Sequence, residues 1–133
     1  MISVRCVKTN WSLVMILFIV LMLNVFILKE KKMSKEINIP FNEWSKARLM
    51  NQTKKATSRT KKYGDVGDTF SVNGLKYELE FVIKVPLWFV IEDLHKSEGA
   101  KDSQELKDVW RSIHPRKGYR PFDEVWYHHF KEV

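Results

Sequence analysis

The sequence offers a single cysteine, Cys6, so it can build no intrachain disulfide and no cysteine-clustered zinc site. That absence points to a reducing compartment and hence to a cytoplasmic protein. The four histidines, His95, His114, His128 and His129, are not spaced as metal ligands on one helix or loop, and no metal or cofactor is expected. No internal repeat or low-complexity stretch appears, and 133 residues suffice for one compact core but not for two.

A formal charge of +7 suggests a nucleic-acid partner until it is divided along the chain. Residues 1–32 carry five bases and one acid; residues 33–133 carry 18 bases and 15 acids, leaving that part at only +3. The remaining basicity is local. Between Glu43 and Asp65 stand Lys46, Arg48, Lys54, Lys55, Arg59, Lys61 and Lys62 with no acid among them. Such a run is a binding patch if folding gathers it on one face, and a solvated surface otherwise.

Residues 11–28, WSLVMILFIVLMLNVFIL, contain no charge and approach the length needed to span a bilayer. Taken literally, they form a single-pass membrane anchor; bases on both flanks leave its orientation open. A cleaved signal peptide fits less well, because KEKK rather than a small-x-small site follows. A third reading starts translation at Met33, since Lys29-Glu30-Lys31-Lys32 can be encoded by a purine-rich, ribosome-binding-like string if the organism is prokaryotic. The expected division is therefore residues 1–32 as a hydrophobic segment and 33–133 as the folded domain.

Within that domain, Pro40 can open a first helix that carries Phe41, Trp44 and Leu49 at helical spacing. Asn73-Gly74 suits a type I′ turn, which predicts a hairpin. Its second strand alternates Tyr77, Leu79, Phe81, Ile83 and Val85 against Glu78, Glu80 and Lys84, with Val82 out of phase. The run Leu87–Ile91 reads as a short strand or as the start of a helical turn. Asp102 and Glu105 have the form of a helix cap and its partner, followed by Leu106, Val109, Trp110 and Ile113 at helical spacing. Val125 to Phe130 alternates as a closing strand. The total, about five strands with two or three helices, is an α+β domain around a partly closed barrel.

Trp44 and Trp110 take core positions on helix faces. Trp88 or Phe89 could instead stack on a base. The loop Pro115–Pro121 interleaves bases with Tyr119, as either an RNA contact or a plain turn.

The order of these signals resembles the ASCH domain of the PUA-like β-barrel superfamily. The family hallmark is G-x-K-x-x-T/E-x-R after the first helix. Lys54, Thr57 and Arg59 keep that spacing, Gly67-Asp68 supply the family's G-D, and His114-Pro115 follow the late helix. The match runs from about Ile39 to Phe130. Gln52 stands where the hallmark has glycine, and Asn51, which tolerates left-handed backbone, is expected to take the turn instead. The resemblance implies a small PUA-like barrel that binds RNA or a modified nucleoside in a basic pocket, with Arg59, Lys55 and Lys61 as ligand-binding residues. It also implies an alternative activity. Some bacterial ASCH proteins are amidohydrolases that deacetylate N(4)-acetylcytidine, and their catalytic set maps here to Lys54, Thr57 and Glu98. A threonine hydroxyl needs a base to take its proton, and a lysine of lowered pKa can serve; Glu98 could protonate the leaving amine. Each residue also has a plainer reading, as a strand threonine, a surface lysine and an exposed loop glutamate.

Overall fold

The computed structural model describes residues 15–22 and 34–133. Two units are separable, Met1–Met33 and Ser34–Val133. In the first, residues 15–22 are helical, and Ile16, Leu17, Phe18, Val20 and Leu21 are exposed. Among the described residues no helix is long and apolar enough to cross a membrane. The proposed anchor over 11–28 extends beyond the described residues at both ends, and the alternative start at Met33 lies outside them.

The second unit is α+β. Its elements are α1 (Glu43–Met50), β1 (Ala56–Arg59), β2 (Thr69–Val72), β3 (Leu75–Pro86), α2 (Leu87–Asp93), α3 (His95–Glu98), α4 (Ser103–Ile113) and β4 (Glu124–Glu132). The strands form one curled antiparallel sheet, a half-barrel in the order β1-β4-β3-β2. Four strands do the work expected of about five. Beyond β2, Glu36 makes an isolated parallel bridge to Thr69, tied by Ile37 N to Thr69 O at 2.7 Å and Thr69 N to Lys35 O at 2.9 Å.

Local chemistry sets most boundaries. The Asn42 side chain accepts from Ser45 N at 2.8 Å and starts α1 at Glu43 rather than at Pro40. Asn73 and Gly74 both take positive φ, 50° and 85°, as a type I′ turn requires. Asp102 accepts from Glu105 N at 2.8 Å and caps α4; the Glu105 side chain reaches back to Lys101 N, also at 2.8 Å. The apolar run after Pro86 is helix α2, with Leu87, Val90 and Ile91 buried.

A register shift between Leu79 and Phe81 in the β3–β4 pairing explains the phase of Val82. A bulge of one residue exchanges the faces of a strand. Tyr77, Leu79 and Val82 therefore share one core with Ile39, Leu49, Phe70, Val72 and Phe130. Ile83 and Val85 face the other way, paired with Tyr127 and Val125, on the side where α2 packs. The sheet is buried on both sides.

His128 belongs to the first face, where it lies opposite Thr57 in β1 and Val82 in β3. It is 0% exposed. Its Nε2 accepts from Tyr63 N at 3.0 Å, so the ring proton sits on Nδ1, 3.2 Å from Thr57 O. Burial, opposed by that carbonyl, holds its pKa down to about 4. An unfolded histidine titrates near 6.5. Above that pH the ring is neutral in both states; below it only the unfolded chain takes the proton, until the folded pKa is reached. Stability should fall by roughly 3 kcal/mol between about pH 6.5 and pH 4, and His128→Gln should remove most of that slope in urea titrations. Burial lowers His129 as well, so a smaller slope of the same sign remains.

The turn leaving α1 departs from expectation. Gln52 itself takes the left-handed conformation at φ 66°, while Asn51 stays at φ −91°. Asn51 instead accepts from Thr53 N at 3.1 Å and Thr53 Oγ1 at 2.6 Å, bracing the turn from its side chain. A non-glycine residue pays about 1 kcal/mol for that backbone. Gln52→Gly should raise the unfolding free energy by up to about 1 kcal/mol, read from denaturant midpoints.

Candidate active site

A cavity of about 330 Å³ wraps the free edge of β1, a volume that suits one small ligand. β1 pairs only with β4. Phe130 N donates to Lys55 O at 3.0 Å, and hydrogen-bonded positions alternate along an antiparallel pair. The polar backbone groups of Thr57 and Arg59 thus face β4, and those of Ala56 and Ser58 point away from it, to the open edge. Side chains alternate too. Thr57 and Arg59 sit on the His128 side of the sheet, and Ser58 sits on the opposite side against Tyr127.

The cavity is lined by Pro40, Trp44, Arg59, Lys61 and Tyr63 together with the apolar Leu87, Val90, Ile91, Leu106 and Trp110. Lys54, Ser58 and Glu98 also line it and are bonded to one another. Lys54 and Glu98 are each only 4% exposed, so neither is a surface residue. Lys54 Nζ lies 3.1 Å from Glu98 Oε1 and 3.0 Å from Glu98 O. The other carboxylate oxygen, Oε2, accepts from Ser58 Oγ at 2.6 Å. Burial pulls the Lys54 pKa below the usual lysine range; Glu98 opposes that shift, and Arg59 and Arg48 add to it.

The sequence folds this way because α3 ends at Glu98. Gly99, at φ 97°, caps α3, and a Cβ there would lie 3.1 Å from the Arg48 side chain. Arg48 fixes that corner. It donates to Gly99 O at 2.9 Å and Glu105 Oε2 at 2.8 Å, with its guanidinium carbon 4.0 Å from the Trp44 ring centre. Lys55 N donates to Ser97 O at 2.6 Å, and Ser97 Oγ bonds Tyr127 OH at 2.6 Å. These contacts hold α3 against the first residues of β1.

Thr57 is buried and lines the same cavity. Its hydroxyl accepts from Arg59 Nε at 3.1 Å, and Arg59 Nη2 donates to Pro40 O at 2.6 Å. Lys61 lies at the wall, its Nζ 4.9 Å from the Tyr63 ring centre. Lys55 is turned elsewhere, into a depression shared with Glu80, Lys131 and Glu132. Folding therefore does not gather the basic run on one face. Lys54, Arg59 and Lys61 reach the cavity, while Lys46, Arg48 and Lys62 pair with Glu43, Glu105 and Asp65.

Sequence reasoning missed Ser58, His114 and the second role of two tryptophans. Trp44 and Trp110 wall the cavity, and His114 stacks on Trp110 at 4.2 Å between centres. Trp88, Phe89 and the loop 115–121 do not line it. Among the described residues no group of His, Cys, Asp or Glu could hold a metal ion.

No protein-family model and no curated protein matches this sequence. Solved structures do. An ASCH domain from Lactobacillus crispatus is similar at TM-score 0.61 and 19% identity, over 87% of this chain and 91% of that one. This chain has the ASCH-domain fold. A protein from Enterococcus faecalis described under the family model DUF984 is similar at TM-score 0.53 and 14% identity, over 88% and 90% of the two chains. The residues of the ASCH hallmark fall on the turn after α1 and on β1, at the cavity.

The buried pair sets a stability test. Removing one partner strands a charge in the interior, at a cost of about 3–5 kcal/mol. Lys54→Met and Glu98→Leu should each destabilise by about that amount, and the double variant by less than either, in urea unfolding followed by tryptophan fluorescence.

Proposed function

We propose that this ASCH-fold protein binds a modified nucleoside in the β1 cavity and hydrolyses an amide on its base, N(4)-acetylcytidine being the model substrate. The observation that carries this reading is the Lys54–Glu98 pair: two ionisable groups, buried together at a nucleoside-sized cavity and bonded to a hydroxyl. A charge pair is an expensive way to fill a core, and perturbed ionisable groups in a cleft are a mark of chemistry. Glu98 shuttles the proton between the attacking hydroxyl and the leaving amine. Lys54 holds the carboxylate by a hydrogen bond and offers its remaining N–H to the developing oxyanion. The hydroxyl comes from β1, where the ASCH resemblance points to Thr57. Arg59 and Lys61, which line the same cavity, hold the ligand, the guanidinium suiting a base edge or a phosphate.

A second reading, a binding module for RNA without chemistry, draws on the same wall. Arg59 stands 5.0 Å from the Phe41 ring centre and 5.6 Å from that of Tyr63, a mix of cation and aromatic faces that suits single-stranded RNA.

The test is cytidine release from N(4)-acetylcytidine by the full chain. Lys54→Ala and Glu98→Ala should each slow it by about 100-fold or more. No release at high protein concentration, together with salt-sensitive binding of a short RNA that is lost in Arg59→Ala/Lys61→Ala but kept in Thr57→Ala, would replace the first reading by the second.

A further inference from the structure

We propose that Ser58, the residue after the hallmark threonine, is the nucleophile of the β1 site. The inference rests on the hydrolase reading and names the atom that takes the acyl group. Thr57 and Ser58 are adjacent in sequence but lie on opposite sides of the sheet. Their hydroxyls differ in what they touch. Thr57 Oγ1 accepts a hydrogen bond from the Arg59 guanidinium, an interaction that occupies a lone pair and supplies no base. Ser58 Oγ donates to Glu98 Oε2 at 2.6 Å, the short charge-assisted geometry of a hydroxyl with its proton acceptor in place. The other Glu98 oxygen is held by Lys54 Nζ, so the carboxylate is fixed in rotation. Ser58 also lines the cavity. As a primary alcohol it meets an acyl carbon with less crowding than a threonine does.

The steps balance without a metal or a redox partner. Ser58 Oγ attacks the amide carbonyl carbon, an O–C bond forms, and its proton passes to Glu98. The oxyanion draws on the third N–H of Lys54, since Glu98 O and Oε1 take the other two. The C–N bond then breaks as Glu98 protonates the leaving amine, giving an acyl-Ser58 ester and free amine. Water attacks the ester, returns a proton through Glu98 to Ser58 Oγ, and the carboxylic acid departs. Thr57 on this scheme orients Arg59 toward the ligand, a positioning role.

The experiment is acid quench of the full chain during turnover of N(4)-acetylcytidine and, in parallel, of p-nitrophenyl acetate, followed by peptide mass spectrometry. An acetyl group on Ser58 is the expected result in the unmodified protein, so the outcome does not depend on a variant that folds. Ser58→Ala should lose this label and about 100-fold or more in cytidine release while remaining folded, its urea midpoint lowered because the buried carboxylate loses a donor. Ser58→Cys should accumulate the acetyl group as a thioester, and Thr57→Val should still be labelled at Ser58. An acetyl group on Thr57 or Lys54 instead, or Ser58→Ala turning over as the parent does, overturns the assignment and leaves the hydrolase reading intact. Absence of cytidine release from the unmodified protein removes both.

Discussion

The buried ion pair between Lys54 and Glu98 organises the functional half of the molecule. Lys54 arrives from the turn that follows α1, and Glu98 from the last residue of α3. Neither charge can leave the interior without the other. Holding them 3.1 Å apart requires the tight turn at Gln52, the left-handed Gly99 and the Arg48 contacts that join α1 to the start of α4. The left-handed Gln52 and the pinned Arg48 thus both lie next to this pair, which lines the cavity at the edge of β1.

Around this point the sheet divides the chemistry in two. On one side are Thr57, Arg59 and neutral His128; on the other are Ser58 and Tyr127, beneath α3. A strand delivers consecutive side chains to opposite faces, and an interior strand would have sent these hydroxyls into separate cores. An edge strand lets both reach one cavity. Thr57, Ser58 and Arg59 of this four-residue strand thus all line one cavity, while Ala56 is fully buried.

Much of the frame was legible in the sequence because its signals are local. Asn73-Gly74 dictates its own turn, Asp102 its own cap, and the spacing of Lys54, Thr57 and Arg59 marks a segment that the fold brings to the cavity. Other features depend on distant partners. The phase of Val82 becomes intelligible once β4 shows the slipped register, and Leu87–Ile91 is helical because its apolar side packs beneath the sheet. Glu98 sits in a polar stretch, KSEG, that gives no hint of burial; the partner that compensates its burial is Lys54, 44 positions away. Ser58 was hidden for a simpler reason. A serine in a basic segment has no pattern of its own, and only the position of Glu98 distinguishes it from Thr57. Lys55 shows the converse, a base inside the motif that lines a separate depression.

Exposed strand edges are also where folded chains stick to one another, since unpaired backbone groups can template a neighbour. This sheet has two edges, and both are short: β1 and β2 have four residues each. At β2 the segment around Glu36 already occupies the backbone of Thr69. At β1, Thr57, Ser58 and Arg59 line a cavity walled by side chains of α1, α2 and α4. The recess therefore lies along the same edge on which a neighbour's strand would have to pair, so filling the cavity and edge-to-edge association compete for one short stretch of β1.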